Sequence, residues 1–158
     1  MVNLAGATAR RRPTPAKIAA MVIAILWVAS LFFPAIQAGN YTITSLFFLL
    51  WGWSGLMILD IDWLANPLVL CVALLLLGHV QRPRTMTALG VALFVLLVKS
   101  AARGTMIVNE NQNSLAIDHH LAGWYLWIAA QIVALAAICV AVAEPRAMGL
   151  ASRTRKNP

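Results

Sequence analysis

The chain has 158 residues, of which 61% are hydrophobic and 11% charged, with a formal net charge of +7. A soluble domain carries roughly 25% charged and 45–50% apolar residues, and one core of this size leaves much of its surface wet. The balance excludes a soluble enzyme, a secreted disulfide scaffold and a disordered chain, and it predicts a small polytopic membrane protein.

A bilayer core of roughly 30 Å takes about 20 apolar residues of helix. Residues 1–17 are basic and proline-bearing, a disordered tail by composition. The first span is predicted over residues 18–37, uncharged and too long for the core of a signal peptide, with Pro34 ending or kinking it. Ala38-Gly39-Asn40 then reads as a turn. Residues 41–59 are apolar but broken by Ser45, Gly52, Ser54 and Gly55. Asn66-Pro67 reads as a helix cap followed by proline, which leaves residues 60–66 extended ahead of the second helix. That span covers about 63–81, and the tight turn at Arg82-Pro83-Arg84 leads to a third over 85–102. Lys99 lies near its end, where a long side chain can snorkel. A polar loop over 103–120 precedes the fourth span, 121–143, and a basic tail, 144–158.

Charge decides the course of residues 41–59. With four crossings and an internal N-terminus, ten of the twelve basic residues are cytoplasmic, and only Lys99 and Arg103 are outside. A fifth crossing would divide them evenly, against the positive-inside bias. The expectation is therefore an all-α protein with four transmembrane helices plus one interfacial or re-entrant helix at 41–59 on the outer side, both termini being cytoplasmic. The basic clusters orient the protein and attract lipid headgroups. They lack the interleaved aromatics and the reading module of a nucleic-acid binder.

The unusual chemistry gathers on the predicted outer face. Asp118, His119 and His120 with Glu110 offer imidazole and carboxylate, but adjacent helical residues point about 100° apart and no metal-ligand template is met. His79 and the His119-His120 pair fall at opposite ends of the spans, too far apart to share a haem iron. Cys71 and Cys139 come out at different depths, beyond the roughly 7 Å limit for a disulfide, and read as packing residues. Ser30, Ser54, Ser100 and Ser114 have no organised base. Gln131 in the last span reads as glue between helices, beside a series of alanines that permits close approach. No enzyme, metal or cofactor is predicted.

The Gly52-Trp53 pair, the Trp63-Leu64-Ala65-Asn66-Pro67 element and Gly123-Trp124-Tyr125-Leu126-Trp127 resemble a set of small bacterial inner-membrane proteins over residues 20–140. That resemblance implies a bacterial inner membrane and four spans. It implies no activity and carries over no functional residue.

The function expected from the sequence is non-catalytic: protein binding at the periplasmic face, as an accessory subunit or as an immunity protein neutralising a toxin that acts on the membrane or periplasm. The predicted contact residues are Asp60, Asp62, Trp63, Asn66, Glu110, Asp118 and His119. The simpler reading is that Trp63, Trp124 and Trp127 form an aromatic belt and Asn66 only caps a helix. The alternative function is a small homo-oligomeric channel or lipid-binding transporter.

Overall fold

The computed structural model describes residues 14–58, 60–78, 82–107 and 114–154. Glu110 and His79 lie outside the described residues, as does most of the N-terminal tail. Helix α1 spans Pro15–Leu31, two residues earlier than the tail was expected to end. Its Thr14 cap hydroxyl accepts a hydrogen bond from the Lys17 N–H, and Pro15 occupies the first turn, where no N–H partner is needed.

The first correction lies at Pro34. The span expected to run to residue 37 stops at Leu31, and Pro34–Ala38 form strand β1. Proline drives the preceding residue out of the helical region and supplies no N–H to a helix. Gly39, at φ 57°, turns the chain into β2, Tyr41–Thr44, with Ala38 opposite Tyr41. The last strand of the chain, β5 at His119–His120, pairs with the other side of β1, giving the order β2-β1-β5. A separate hairpin joins β3, Thr105–Ile107, to β4, Ser114–Ala116. The fold is thus mostly helical but not all-α. The region read as a polar loop holds three short strands, of which β3 and β4 pair locally and β5 pairs with residues about 80 positions away.

The single interfacial helix expected over 41–59 is replaced by three pieces: β2, a short α2 at Ser45–Trp51 capped by Thr44, and a 3₁₀ helix at Gly52–Ile58. Residues 60–66 are not extended. Asp60 caps a second 3₁₀ helix, Ile61–Leu64, which runs straight into α3, Ala65–Leu77. Leu64 is the residue preceding that helix, so Asn66 is not its cap. Helix α4 covers Pro83–Ala101, and α5 covers Ala122–Thr154, continuing as helix through much of the expected C-terminal tail.

Among the described residues two helical stretches are long and apolar enough to cross a membrane, Pro83–Ala101 and Ala122–Ala143. Helix α1 has 17 residues and α3 has 13, about 26 Å and 20 Å at 1.5 Å per residue. Both nonetheless belong to one packed bundle. The most extensive helix contact is α1 on α5, followed by α1 on α3 and α4 on α5. Ala20, Ala130 and Ala134 are fully buried in it, and their small side chains bring the helix backbones close. Ile23, Val69, Val72, Leu76 and Leu93 fill the remaining core. Gly90 gives α5 room, since a Cβ there would stand 3.2 Å from Ile138 Cγ2.

Candidate functional site

The sheet, α2 and the two 3₁₀ helices sit on one end of the bundle and form a head. Four ionised side chains brace it. Asp60 and Asp62 leave the start of the second 3₁₀ helix, Lys99 stands in the last turn of α4, and Arg103 follows its Ala102 cap. Lys99 Nζ donates to Asp60 Oδ1 at 3.0 Å and to Asp62 Oδ1 at 2.7 Å. Arg103 donates from Nη2 to Asp60 Oδ2 at 2.5 Å and from Nη1 to Asp62 Oδ2 at 3.0 Å. Its Nε donates to the Thr105 carbonyl at 3.1 Å, which ties β3 to the cluster. All four carboxylate oxygens are matched, two charges against two. Burial resists ionisation of Asp60, but the Lys99 and Arg103 hydrogen bonds and charges outweigh it and hold the carboxyl below its ordinary value. Asp62 is the more enclosed carboxylate, at 9% side-chain exposure against 19% for Asp60.

A second lock is built from an amide. Asn66 Oδ1 accepts hydrogen bonds from the indole N–H groups of Trp27 and Trp127, each at 3.0 Å. Its Nδ2 donates to the Trp63 carbonyl at 3.2 Å. One buried carboxamide thus joins α1, α3 and α5. Trp63 turns its own indole N–H to the Leu49 carbonyl at 3.0 Å, holding α2 down. Its ring lies against Gly52, where a Cβ would come within 2.7 Å of Cδ1. Trp27, Trp63, Trp127 and Asn66 thus tie the helices and α2 together, and Asn66 is not the cap of α3.

On the sheet side, Asp118 Oδ2 accepts from the Gly39 N–H at 2.6 Å and pins the β1–β2 turn. The Asp118 N–H donates to Gln37 O and the Leu121 N–H to Ala35 O, extending the pairing that begins with β5. His119 is exposed on that edge strand. Gly123 opens α5 beneath β1, where a Cβ would press on Phe33 O at 2.5 Å and Pro34 O at 2.8 Å. His120 packs its ring on Trp124 with centroids 4.1 Å apart. Burial pushes its imidazole below the ordinary histidine range, favouring the neutral form.

Between the helix ends and this sheet lies a partly enclosed cavity of about 120 Å³. Ile36, Phe48, Trp124 and Trp127 give it apolar walls, while Asp62 and Arg103 reach it from the ion-pair cluster. Two further lining residues, Ser100 and His120, each bury a polar atom, Oγ and Nε2, with no hydrogen-bond partner among the described residues. Among the described residues no group of three or more His, Cys, Asp and Glu side chains is placed to hold a metal ion.

The residues singled out from sequence therefore separate into three groups. Asp60 and Asp62 come together, but with cations; Trp63 and Asn66 lie beside them in the cavity wall; Asp118 and His119 sit apart, at the sheet. Sequence reasoning missed Lys99 and Arg103 as partners of the aspartates, because Lys99 lies in the last turn of α4 and Arg103 just beyond it, about 40 positions from Asp60 and Asp62. Ser100, weighed only as a nucleophile, and His120, weighed only as a metal ligand, come together in the cavity wall, and no local signal marks that pairing. No protein-family model, no curated protein and no solved structure matches this chain.

Proposed function

We propose that the chain is a multi-pass protein of the bacterial inner membrane, with α1, α3, α4 and α5 as four crossings and both termini in the cytoplasm. It acts without catalysis, by binding another protein at its periplasmic face as an accessory subunit or immunity protein. Four crossings are supported by the packing of α1 and α3 against α4 and α5 in one bundle with the head at a single end. The short α3 is lengthened by the 3₁₀ turn before it, giving an apolar helical stretch over Ile61–Leu77. Slight thinning of the bilayer or snorkelling at the ends absorbs the remaining mismatch. The head is read as facing outward because it holds only two of the twelve basic residues, Lys99 and Arg103. Leu46, Phe47, Leu50 and Trp51, exposed along α2, then lie at the lipid interface.

The observation that carries protein binding is the free edge of β2. The sheet order leaves β2 paired on one side only, and Tyr41 is 64% exposed on it. An unpaired edge is a template for an extended segment of another chain, whose main-chain groups supply affinity while side-chain pockets supply selectivity. The sequence-predicted contact residues support this role indirectly: Asp118 pins the turn that presents β2, and Asn66 and the ion pairs hold the head rigid.

The test is purification of the tagged full chain from its native membrane in mild detergent, comparing the wild-type chain with Thr42→Pro and Tyr41→Asp. A stoichiometric partner lost from both variants, with membrane levels unchanged, is the expected result. A partner retained at wild-type stoichiometry would remove the β2 edge from the interface. A lone species of defined oligomeric size would favour the channel alternative.

A further inference from the structure

The head cavity is separate from the β2 edge, and its chemistry is specific enough to name a ligand class. We propose that it binds a neutral, lipid-soluble compound whose polar end is a six-membered ring carrying carbonyl or hydroxyl oxygens, of the quinone or phenol type. Size sets the first limit. A cavity near 120 Å³ is comparable with apolar cavities of about 150 Å³ that accept one benzene-sized ring. The walls set the second. Phe48, Trp124 and Trp127 present flat aromatic surface, suited to an offset or edge-on ring and poorly suited to a hydrated ion.

Charge sets the third limit. The ionised groups that reach the cavity, Asp62 and Arg103, are engaged with each other and with Lys99 and Asp60 in a balanced cluster. An anion would meet Asp62, and a cation would meet Arg103. Either would shed its hydration without gaining a free counter-charge. The neutral form favoured for His120 agrees with this balance.

Hydrogen bonding sets the fourth. Ser100 is 2% exposed, and its Oγ has no partner; the Nε2 of His120 is also buried without one. A buried polar atom left unpaired is costly, so a ring oxygen that reaches both atoms recovers what an apolar guest does not. A hydroxyl can donate and accept, and neutral imidazole can do either according to its tautomer. Ser100 ends α4, whereas His120 precedes α5 on the edge of the sheet, so the pair reads the guest from two different elements.

The experiment is equilibrium dialysis of the full-length protein in detergent micelles against protein-free micelles, with duroquinone, p-cresol, toluene and p-toluate as probes. Duroquinone and p-cresol are expected to bind, toluene about tenfold more weakly, and p-toluate not measurably. Ser100→Ala and His120→Phe are each expected to weaken p-cresol by about tenfold and to leave toluene unchanged. The phenylalanine preserves a ring against Trp124, so a folding defect is distinguished by an unfolding temperature measured on the same samples. Equal binding of p-toluate and p-cresol would overturn the neutral-ligand assignment. Unchanged p-cresol affinity in both variants, or the absence of binding by every probe, would overturn the site itself.

Discussion

Two polar groups meet in the head and are built on opposite principles. In the cluster of Asp60, Asp62, Lys99 and Arg103, every carboxylate oxygen has a cationic partner. One residue along from Lys99, Ser100 buries its hydroxyl without any partner, as His120 does across the cavity. The charged residues catch the eye in a sequence that is only 11% charged, yet they are consumed by one another. Saturated groups brace the scaffold, whereas unsatisfied ones remain able to recognise a guest. The same contrast separates Asn66, with its oxygen and its nitrogen both engaged, from Gln131, whose fully buried amide has no partner at either end.

The contrast is most directly broken at Arg103. Arg103→Ala leaves Asp62 facing an enclosed site with half its pairing removed, and is expected to lower stability by about 3 kcal/mol, read from unfolding in detergent. Lys99→Ala should cost about 1 kcal/mol or less, because the ammonium side chain is 42% exposed and water can replace it. If both variants cost the same, the cluster is held by net charge and not by the geometry of the guanidinium.

Asn66→Ala is expected to cost about 2–3 kcal/mol, since it strands the indole N–H groups of Trp27 and Trp127 together. The change should appear as a red-shifted tryptophan emission with loss of cooperativity between α1 and α5. A variant as stable as the parent would show that helix packing alone, without the amide, closes the head.

Acid supplies a smaller perturbation of the same cluster. The folded carboxyl of Asp60 lies below the unfolded value of 3.8, so its contribution is complete well above that value. Stability should fall as pH drops below about 3.8 toward the folded value, and Asp60→Asn should flatten that limb of the profile. A limb unchanged in Asp60→Asn would assign the acid sensitivity to another carboxyl.

The smallest effect is expected at Gln131. Gln131→Leu removes an unpaired amide from the bundle and should leave stability within about 0.5 kcal/mol or raise it. A large loss would instead mean that the amide has a partner in the membrane, as the glue expected from its sequence position requires.

Much of the bundle was legible in the sequence because helices and turns are local. The apolar stretch of α4, the opening of α5 and the turn at Gly39-Asn40 all follow from neighbours within a few residues, whereas Pro83, read as part of a turn, is the first residue of α4. Pro34 announced an interruption, but not that the next five residues would become the central strand of a sheet. Asn66 looked like a cap because Asn-Pro commonly is one; its actual partners are Trp27 and Trp127, 39 and 61 positions away. Asp60 and Asp62 looked available for recognition because their cations lie about 40 positions downstream.

Composition and charge placement therefore determined the apolar class of the chain and where its helices could form, since both are sums over local residues. The tertiary structure alone decided which polar groups neutralise one another and which two are left facing the cavity. A side chain's hydrogen-bond balance depends on what long-range folding brings beside it, and no local pattern encodes that.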